Sequence, residues 1–354
     1  MNLKPTNRRI NMSQRIKVCT DRILPKDLMR LQSTVRTREG GQRAIAPIGK
    51  TWMNGSTLQV RFKGGSSTEQ DVAREQADWW AQVANLKFDF NNAPNAEIRI
   101  TFDSQDGAWS YIGTDCRSIP LNEATMNLGF LDGGTAAHEF GHAIGLAHEH
   151  QNPAGGIQWH EEVVIRECAK SPNFWDEETT RHNVLRKYSA DQVKGTVFDP
   201  KSIMLYFFPA SWTLNGIGTD ANEVLSRLDK EFIAGAKMYP RTGGTTANAT
   251  ELKVNPSRRT QASIGKIGEE DLFRFTATSD GSYVINTRGP TDVVMKLFGP
   301  NSETALIAED DDSGVDTNAR IAAQLIAGEY FVVQVRHYNR ASGMGKYSIK
   351  VVKS

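Results

Sequence analysis

The chain has 354 residues, of which 39% are hydrophobic and 23% charged, and a formal net charge of +1. This is ordinary globular composition at a length sufficient for two or three domains, and it excludes a mainly disordered chain. No run of about 18 apolar residues occurs, so no membrane span is expected, and the N-terminal stretch lacks the apolar run of about 7–15 residues that a secretory signal needs.

The first segment is basic. Residues 1–50 hold 12 Lys or Arg against 3 Asp or Glu, for +9; residues 250–354 hold 13 of each; the total of +1 leaves −8 for residues 51–249. A basic arm over 1–45 therefore precedes an acidic region. A solvated tail, a nucleic-acid or lipid contact, a transit-type segment and a pro-segment docked on its own chain all fit this pattern. Three cysteines, Cys19, Cys116 and Cys168, allow at most one disulfide. Cys116 and Cys168 can pair, which leaves Cys19 in the arm.

Beyond the arm, Leu58–Phe62 reads as a strand after the Asn54-Gly55 turn. The span Glu69–Val83 reads as an amphipathic helix carrying Trp79 and Trp80, and Glu97–Phe102 as an alternating strand. Next comes a helix that carries chemistry. Thr135, after Gly133-Gly134, is a candidate N-cap, and Ala136, Ala137, Phe140, Ala143 and Ile144 supply an apolar face. His138 and His142 lie one turn apart, so both imidazoles reach one tetrahedral zinc at about 2.0–2.1 Å. Glu139 sits beside the first ligand, where a carboxylate can act as general base without binding the metal.

His148 lies too far along an unbroken helix to reach the same ion. Gly145 provides the exit: without a Cβ it takes a left-handed conformation at low cost, ends the helix and turns the chain so that His148 returns to the metal. Three neutral imidazoles leave a fourth position open, as catalytic zinc sites do and structural ones do not. H-E-x-x-H alone also arises by accident on ordinary helices, but the added Gly145 and His148 make coincidence a poor explanation.

The eleven-residue pattern His138 to His148 resembles the metzincin signature, and Glu149 after it resembles the astacin-like branch. Ser202-Ile203-Met204-Leu205-Tyr206 is similar to the metzincin Met-turn. The resemblance implies Met204 as a hydrophobic floor under the metal and Tyr206 as a switchable fifth ligand or oxyanion stabiliser. Gly107–Ser110 and Thr125–Gly129 resemble the strands leading into the cleft, the second being the candidate edge strand for an extended peptide. Leu205 stands where astacins usually carry histidine, and the disulfide pattern of animal astacins is absent. Cysteine switches in several metzincin branches make Cys19 a candidate latent-state zinc ligand; a buried or uninvolved thiol is the plainer alternative.

All seven tryptophans and six of the seven histidines precede residue 240, and residues 242–248 form a small-residue linker. Asp271–Thr276, Ser282–Thr287, Val293–Phe298 and Tyr330–Arg336 then alternate between turns, an all-β sandwich pattern. Val294–Pro300, Asp310-Asp311-Asp312 and Gly328–Val335 resemble the pre-peptidase C-terminal domain. The triple aspartate reads as a calcium loop or, more simply, a solvated turn.

The expected fold is an α+β metzincin catalytic domain, a twisted sheet plus zinc-binding helix, over 46–241, followed by an all-β sandwich over 249–354. The expected function is a zinc endopeptidase acting on proteins or peptides, with Zn2+ and, at the aspartates, Ca2+ as ions. The chain is expected to be a monomer without a nucleic-acid partner, and the family resemblance implies extracellular action. A non-catalytic binding protein using the sandwich, and another zinc hydrolase such as an amidase, are the competing classes; an intact Glu139 argues against the first.

Overall fold

Ser66 and Glu69 open the first long helix by a reciprocal capping box, with Ser66 Oγ accepting from Glu69 N and Glu69 accepting from Ser66 N. The helix therefore runs Ser67–Ala81, starting earlier than the 69–83 expected, because Glu69 is the third helical residue and not the first. The computed structural model describes residues 19–22, 46–47, 50–170, 173–188, 193–194, 197–236, 238–241, 244–340 and 342–354. The rest of the basic arm and part of the linker lie outside the described residues.

The N-terminal part contains, in order, β1 (Thr20–Arg22), β2 (Ala46–Pro47), β3 (Thr57–Phe62), α1 (Ser67–Ala81), β4 (Lys87–Asp89), β5 (Ile98–Thr101), β6 (Ala108–Tyr111) and β7 (Met126–Leu128). It continues with α2 (Thr135–Ala143), α3 (Glu161–Cys168), α4 (Glu177–Thr180), β8 (Val193–Lys194), which pairs with β2, and α5 (Arg227–Ile233). One sheet has the order β1-β6-β7-β5-β3-β4. Leu58 and Val60 of β3 and Ile98 and Ile100 of β5 turn inward onto α1 and α2, where Trp80 and Phe140 are fully buried.

The sheet order corrects one expectation. β7, expected as the edge, lies between β6 and β5. The outer position falls to β6, antiparallel to β7, and the arm strand β1 adds to it in parallel register, Thr20 opposite Trp109 and Arg22 opposite Tyr111. Alternation identifies a strand but carries no information on which neighbour it meets.

The C-terminal part is all β: β9 (Thr250–Glu251), β10 (Thr260–Ile264), β11 (Glu270–Thr276), β12 (Gly281–Arg288), β13 (Val293–Phe298), β14 (Leu306–Asp310), β15 (Arg320–Leu325), β16 (Tyr330–His337) and β17 (Gly345–Lys353). They form two sheets, β10-β17-β12-β15 and β14-β13-β16-β11-β9. Phe275, Tyr283, Ile285, Val293, Val333 and Ile349 fill the space between them. Met53 of the N-terminal part packs on Leu272, Phe298 and Val332, and Thr304 Oγ1 donates to Glu97 across the same contact at 2.7 Å.

Among the described residues no helix is long and apolar enough to cross a membrane. Cys116 and Cys168 are buried thiols and not a disulfide, so the pairing allowed by their number does not form. Burial pushes the Cys168 thiol up to about 12, outside the range in which it would react.

Candidate metal centre

α2 is clamped at both ends by side chains from distant segments. Its N-cap is Gly134, which has no side chain to offer; Thr135, expected in that role, is the first helical residue and donates its hydroxyl to Asp132 O at 2.6 Å. The missing acceptor comes from α1: Gln76 Oε1 accepts from Ala137 N at 2.9 Å, while its amide donates to Gly133 O at 2.8 Å. Gln76 thus does the work of a cap from outside the helix, satisfying an orphan N–H. Trp80 Nε1 donates to Ala137 O. At the other end the indole of Trp52 donates to Ala143 O at 2.8 Å and the phenol of Tyr239 to Ile144 O at 2.6 Å.

The exit follows the Schellman pattern. Gly145 N donates to His142 O at 2.8 Å and Leu146 N to Gly141 O at 2.9 Å, with Gly145 at φ +101°. A Cβ at Gly145 would also stand 3.2 Å from Lys50 O, so the sequence uses the one residue that fits both constraints. The turn returns His148 to the face of His138 and His142.

The three rings converge through Nε2: His142 lies 3.1 Å from His138 and 3.3 Å from His148. Their orientation is fixed from behind. His138 Nδ1 donates to Ile203 O at 2.7 Å and His142 Nδ1 to Leu146 O at 2.8 Å, which places the proton on Nδ1 and leaves the Nε2 lone pair for a metal. Cys19 Sγ completes the group at 3.4 Å from His148 Nε2 and 3.7 Å from His142 Nε2, and the four donor atoms lie within 4.8 Å of one another.

This donor set fits zinc. Nitrogens about 2.0–2.1 Å from a tetrahedral centre lie roughly 3.3 Å apart, and a sulfur at about 2.3 Å lies roughly 3.5 Å from each nitrogen. The two nitrogen pairs about His142 and the two sulfur–nitrogen pairs fall near these spacings, and borderline-soft zinc favours mixed imidazole and thiolate donors.

Glu139, between the ligand positions on α2, is fully buried. Met204 lies directly beneath the helix: a Cβ on Gly141 would fall 2.4 Å from its sulfur. The Met-turn is tied down by Asp229, which accepts from Ser202 Oγ at 2.6 Å and from the N–H groups of Ile203 and Ser226 at 2.9 Å. Burial pushes the Asp229 carboxyl up, and these three donors counteract it. Glu149 N donates to Met204 O at 2.9 Å, joining the loop after His148 to the same turn. The Glu149 carboxyl, which accepts from Asp199 N and Asn152, is pushed up to about 7 by burial.

Tyr206 is buried with its ring edge-on to His148, centroids 5.0 Å apart. Its hydroxyl lies 3.3 Å from His150 Nε2 and donates to Asn183 O at 3.4 Å. His150 and Asn183 had no mark in the sequence; nor had Gln76, Trp52 or Tyr239. Asp229 did leave one, since Ser226-x-x-Asp229 is a capping-box pattern.

The aspartate run serves a turn. Asp310 Oδ2 accepts from Ser313 N at 3.1 Å and Arg320 N at 2.6 Å. Among the described residues the Cys19–His138–His142–His148 group is the one cluster of three or more ligand side chains that could hold an ion.

Residues 44–223 match the family model of Astacin (Peptidase family M12A). The structure of myroilysin aligns at 37% identity and a TM-score of 0.53, covering 56% of this chain and 99% of that one. Zinc metalloproteinase nas-30 of Caenorhabditis elegans is 27% identical over 118 residues, 33% of this chain. Protein SpAN of Strongylocentrotus purpuratus is 31% identical over 99 residues, 26% of this chain. The matched part spans 15% of the length of each of these two relatives.

Proposed function

The chain belongs to the astacin family of peptidases, and from that premise we propose that it is a zinc-dependent endopeptidase held latent by its own N-terminal arm. The observation that carries the proposal is the convergence of three Nε2 atoms, with those of His138 and His148 at 3.1 and 3.3 Å from that of His142. His138, His142 and His148 would hold the ion. Bound zinc supplies a Lewis acid that acidifies a water and polarises a carbonyl.

Glu139 is the general base in this reading. Buried beside the ligands, it accepts a proton from the attacking water and returns it to the leaving amine. Tyr206, once its hydroxyl leaves His150 and Asn183, donates to the oxyanion. Met204 keeps the ligand helix at its level. An extended substrate pairs with β6 through main-chain hydrogen bonds, which gives affinity with little dependence on sequence. We assign this chemistry to residues 46–241, and residues 249–354 form the appended sandwich.

Latency rests on Cys19. Its sulfur, 3.4 and 3.7 Å from two of the imidazole nitrogens, supports a role as fourth donor, and β1 covers the strand edge that a substrate needs. The opposite charges of the arm and the following region favour docking.

Full-length protein and its Cys19→Ser variant, each incubated with an unfolded protein with and without a chelator, provide the test, with new termini read by mass spectrometry. Cuts by the variant that vanish with the chelator are expected. Cuts that survive the chelator, or none from either protein, would refute the reading.

A further inference from the structure

Three residues past Cys19 the arm presents a second side chain to the sheet. The guanidinium carbon of Arg22 lies 3.8 Å from the centroid of the Trp109 ring. One of its terminal nitrogens donates to both carboxylate oxygens of Asp106, at 3.0 and 2.8 Å. Asp106 is itself oriented, because the Trp109 indole N–H donates to its Oδ2 at 2.7 Å. Trp109 is 5% exposed and meets Tyr111 edge-on at 6.0 Å. An aromatic face with a carboxylate fixed at its margin is a receptor for a planar cation. Every part of that receptor belongs to β6 and the turn before it, along which an extended peptide would pair.

We propose that Asp106 and Trp109 form a substrate subsite for a basic side chain, arginine above lysine, and that Arg22 fills it in the latent chain. The inference rests on the arm-latched peptidase reading given above. Position follows from register. From Cys19 at the imidazoles, Thr20, Asp21 and Arg22 run away from the ligands opposite Trp109, Ser110 and Tyr111. A substrate antiparallel to β6 travels the other way and passes Tyr111 before it reaches the metal. The recognised side chain therefore lies on the N-terminal side of the cut, about two or three residues before it.

The magnitude is modest. Arg22 and Asp106 are 40% and 47% exposed, so the ion pair is screened by solvent. With the ring contact it should favour arginine over a neutral residue about tenfold. Lysine, a point charge without a planar face, gains less.

The test uses the full-length Cys19→Ser/Arg22→Ala protein with zinc and a series of labelled peptides in which a single arginine or glutamine is walked through the positions before the cut. Binding is read by fluorescence anisotropy and cleavage by mass spectrometry. At one position the arginine peptide should bind, and be cut, about tenfold better than its glutamine partner. Asp106→Asn should lower that ratio about two- to threefold, the share of the screened ion pair, and Asp106→Lys should turn the preference toward glutamate at the same position. A purely structural role for Asp106 would lower all peptides alike and would not invert a preference. Equal binding and equal cleavage at every position overturn the subsite and leave the peptidase standing. Arginine-selective binding without cleavage keeps the subsite and sinks the peptidase. If no peptide binds or is cut, both ideas fall.

Discussion

Replacing Cys19 by serine in the full-length chain should raise peptidase activity about 10- to 100-fold, and the size of that rise follows from the docked segment. Fixing the backbone of the four residues Cys19 to Arg22 costs roughly 1–2 kcal/mol each, about 4–8 kcal/mol together. Opposing this are a three-residue parallel ladder, worth about 2 kcal/mol net, an exposed ion pair near 0.5 and a cation–π contact near 1. Without the sulfur the segment is uphill by about 0.5–4.5 kcal/mol and the cleft is open. One ligand's share of a four-ligand zinc site, about 2.5–4 kcal/mol, shifts this to between about 2 kcal/mol uphill and about 3.5 kcal/mol downhill, and a 10- to 100-fold rise corresponds to a docking gain of about 1.4–2.7 kcal/mol inside that range. That gain corresponds to a latent fraction of roughly 90–99%. Initial rates of the two full-length proteins on a fluorogenic peptide, at matched zinc content, measure the ratio directly. High salt should activate the native chain only in part, because surface charges are screened while the donor bond is not. If the native full-length protein is as active from the first minute as the serine variant, the latch does not exist and Cys19 is only a buried thiol.

Glu139→Ala should keep stoichiometric zinc and lose activity by roughly 100- to 10,000-fold, whereas His142→Ala should lose the metal itself. Zinc analysis of both proteins separates base from ligand, and equal metal loss would contradict the assignment. Tyr206→Phe should lower kcat by roughly 10- to 1000-fold with little change in KM, since the hydroxyl serves the transition state; an unchanged kcat would reduce the residue to packing. In the sandwich, burial raises the Asp271 carboxyl to about 6 while Tyr347 donates to it at 2.6 Å. A raised acid stabilises the fold fully below its unfolded value near 4, and that contribution is lost as pH climbs through 6. For this partly exposed group the loss is about 1–2 kcal/mol after screening. Asp271→Asn should flatten the fall in sandwich stability between pH 4 and 7 in denaturant titrations of the whole protein, and an unchanged slope would count against it.

The histidine cluster was legible because it obeys a local rule. His138, Glu139 and His142 sit on one helix, where spacing alone decides which side chains share a face, and Gly145 marks the exit by its lack of a Cβ. The strands of the sandwich were legible for the same reason, as period-two alternation between turns. α1 starts two residues before the expected position because Glu69 is the capping partner of Ser66 and not the first helical residue.

Tertiary structure decided whatever depends on segments meeting. β6 and not β7 is the outer strand of the catalytic part, and Arg22 reaches Asp106 across 84 positions of sequence. Gln76 caps α2 from another helix, Trp52 and Tyr239 close its far end, and Asp229 holds the Met-turn. These are answers to orphaned backbone groups and buried charges. Such a group needs some partner, and any polar side chain of suitable reach could serve, so its identity appears only when packing brings one chain segment against another. Spacing along a single helix needs no such encounter, which is why the sequence by itself pointed to the His138–His142 pair and left its supports to the fold.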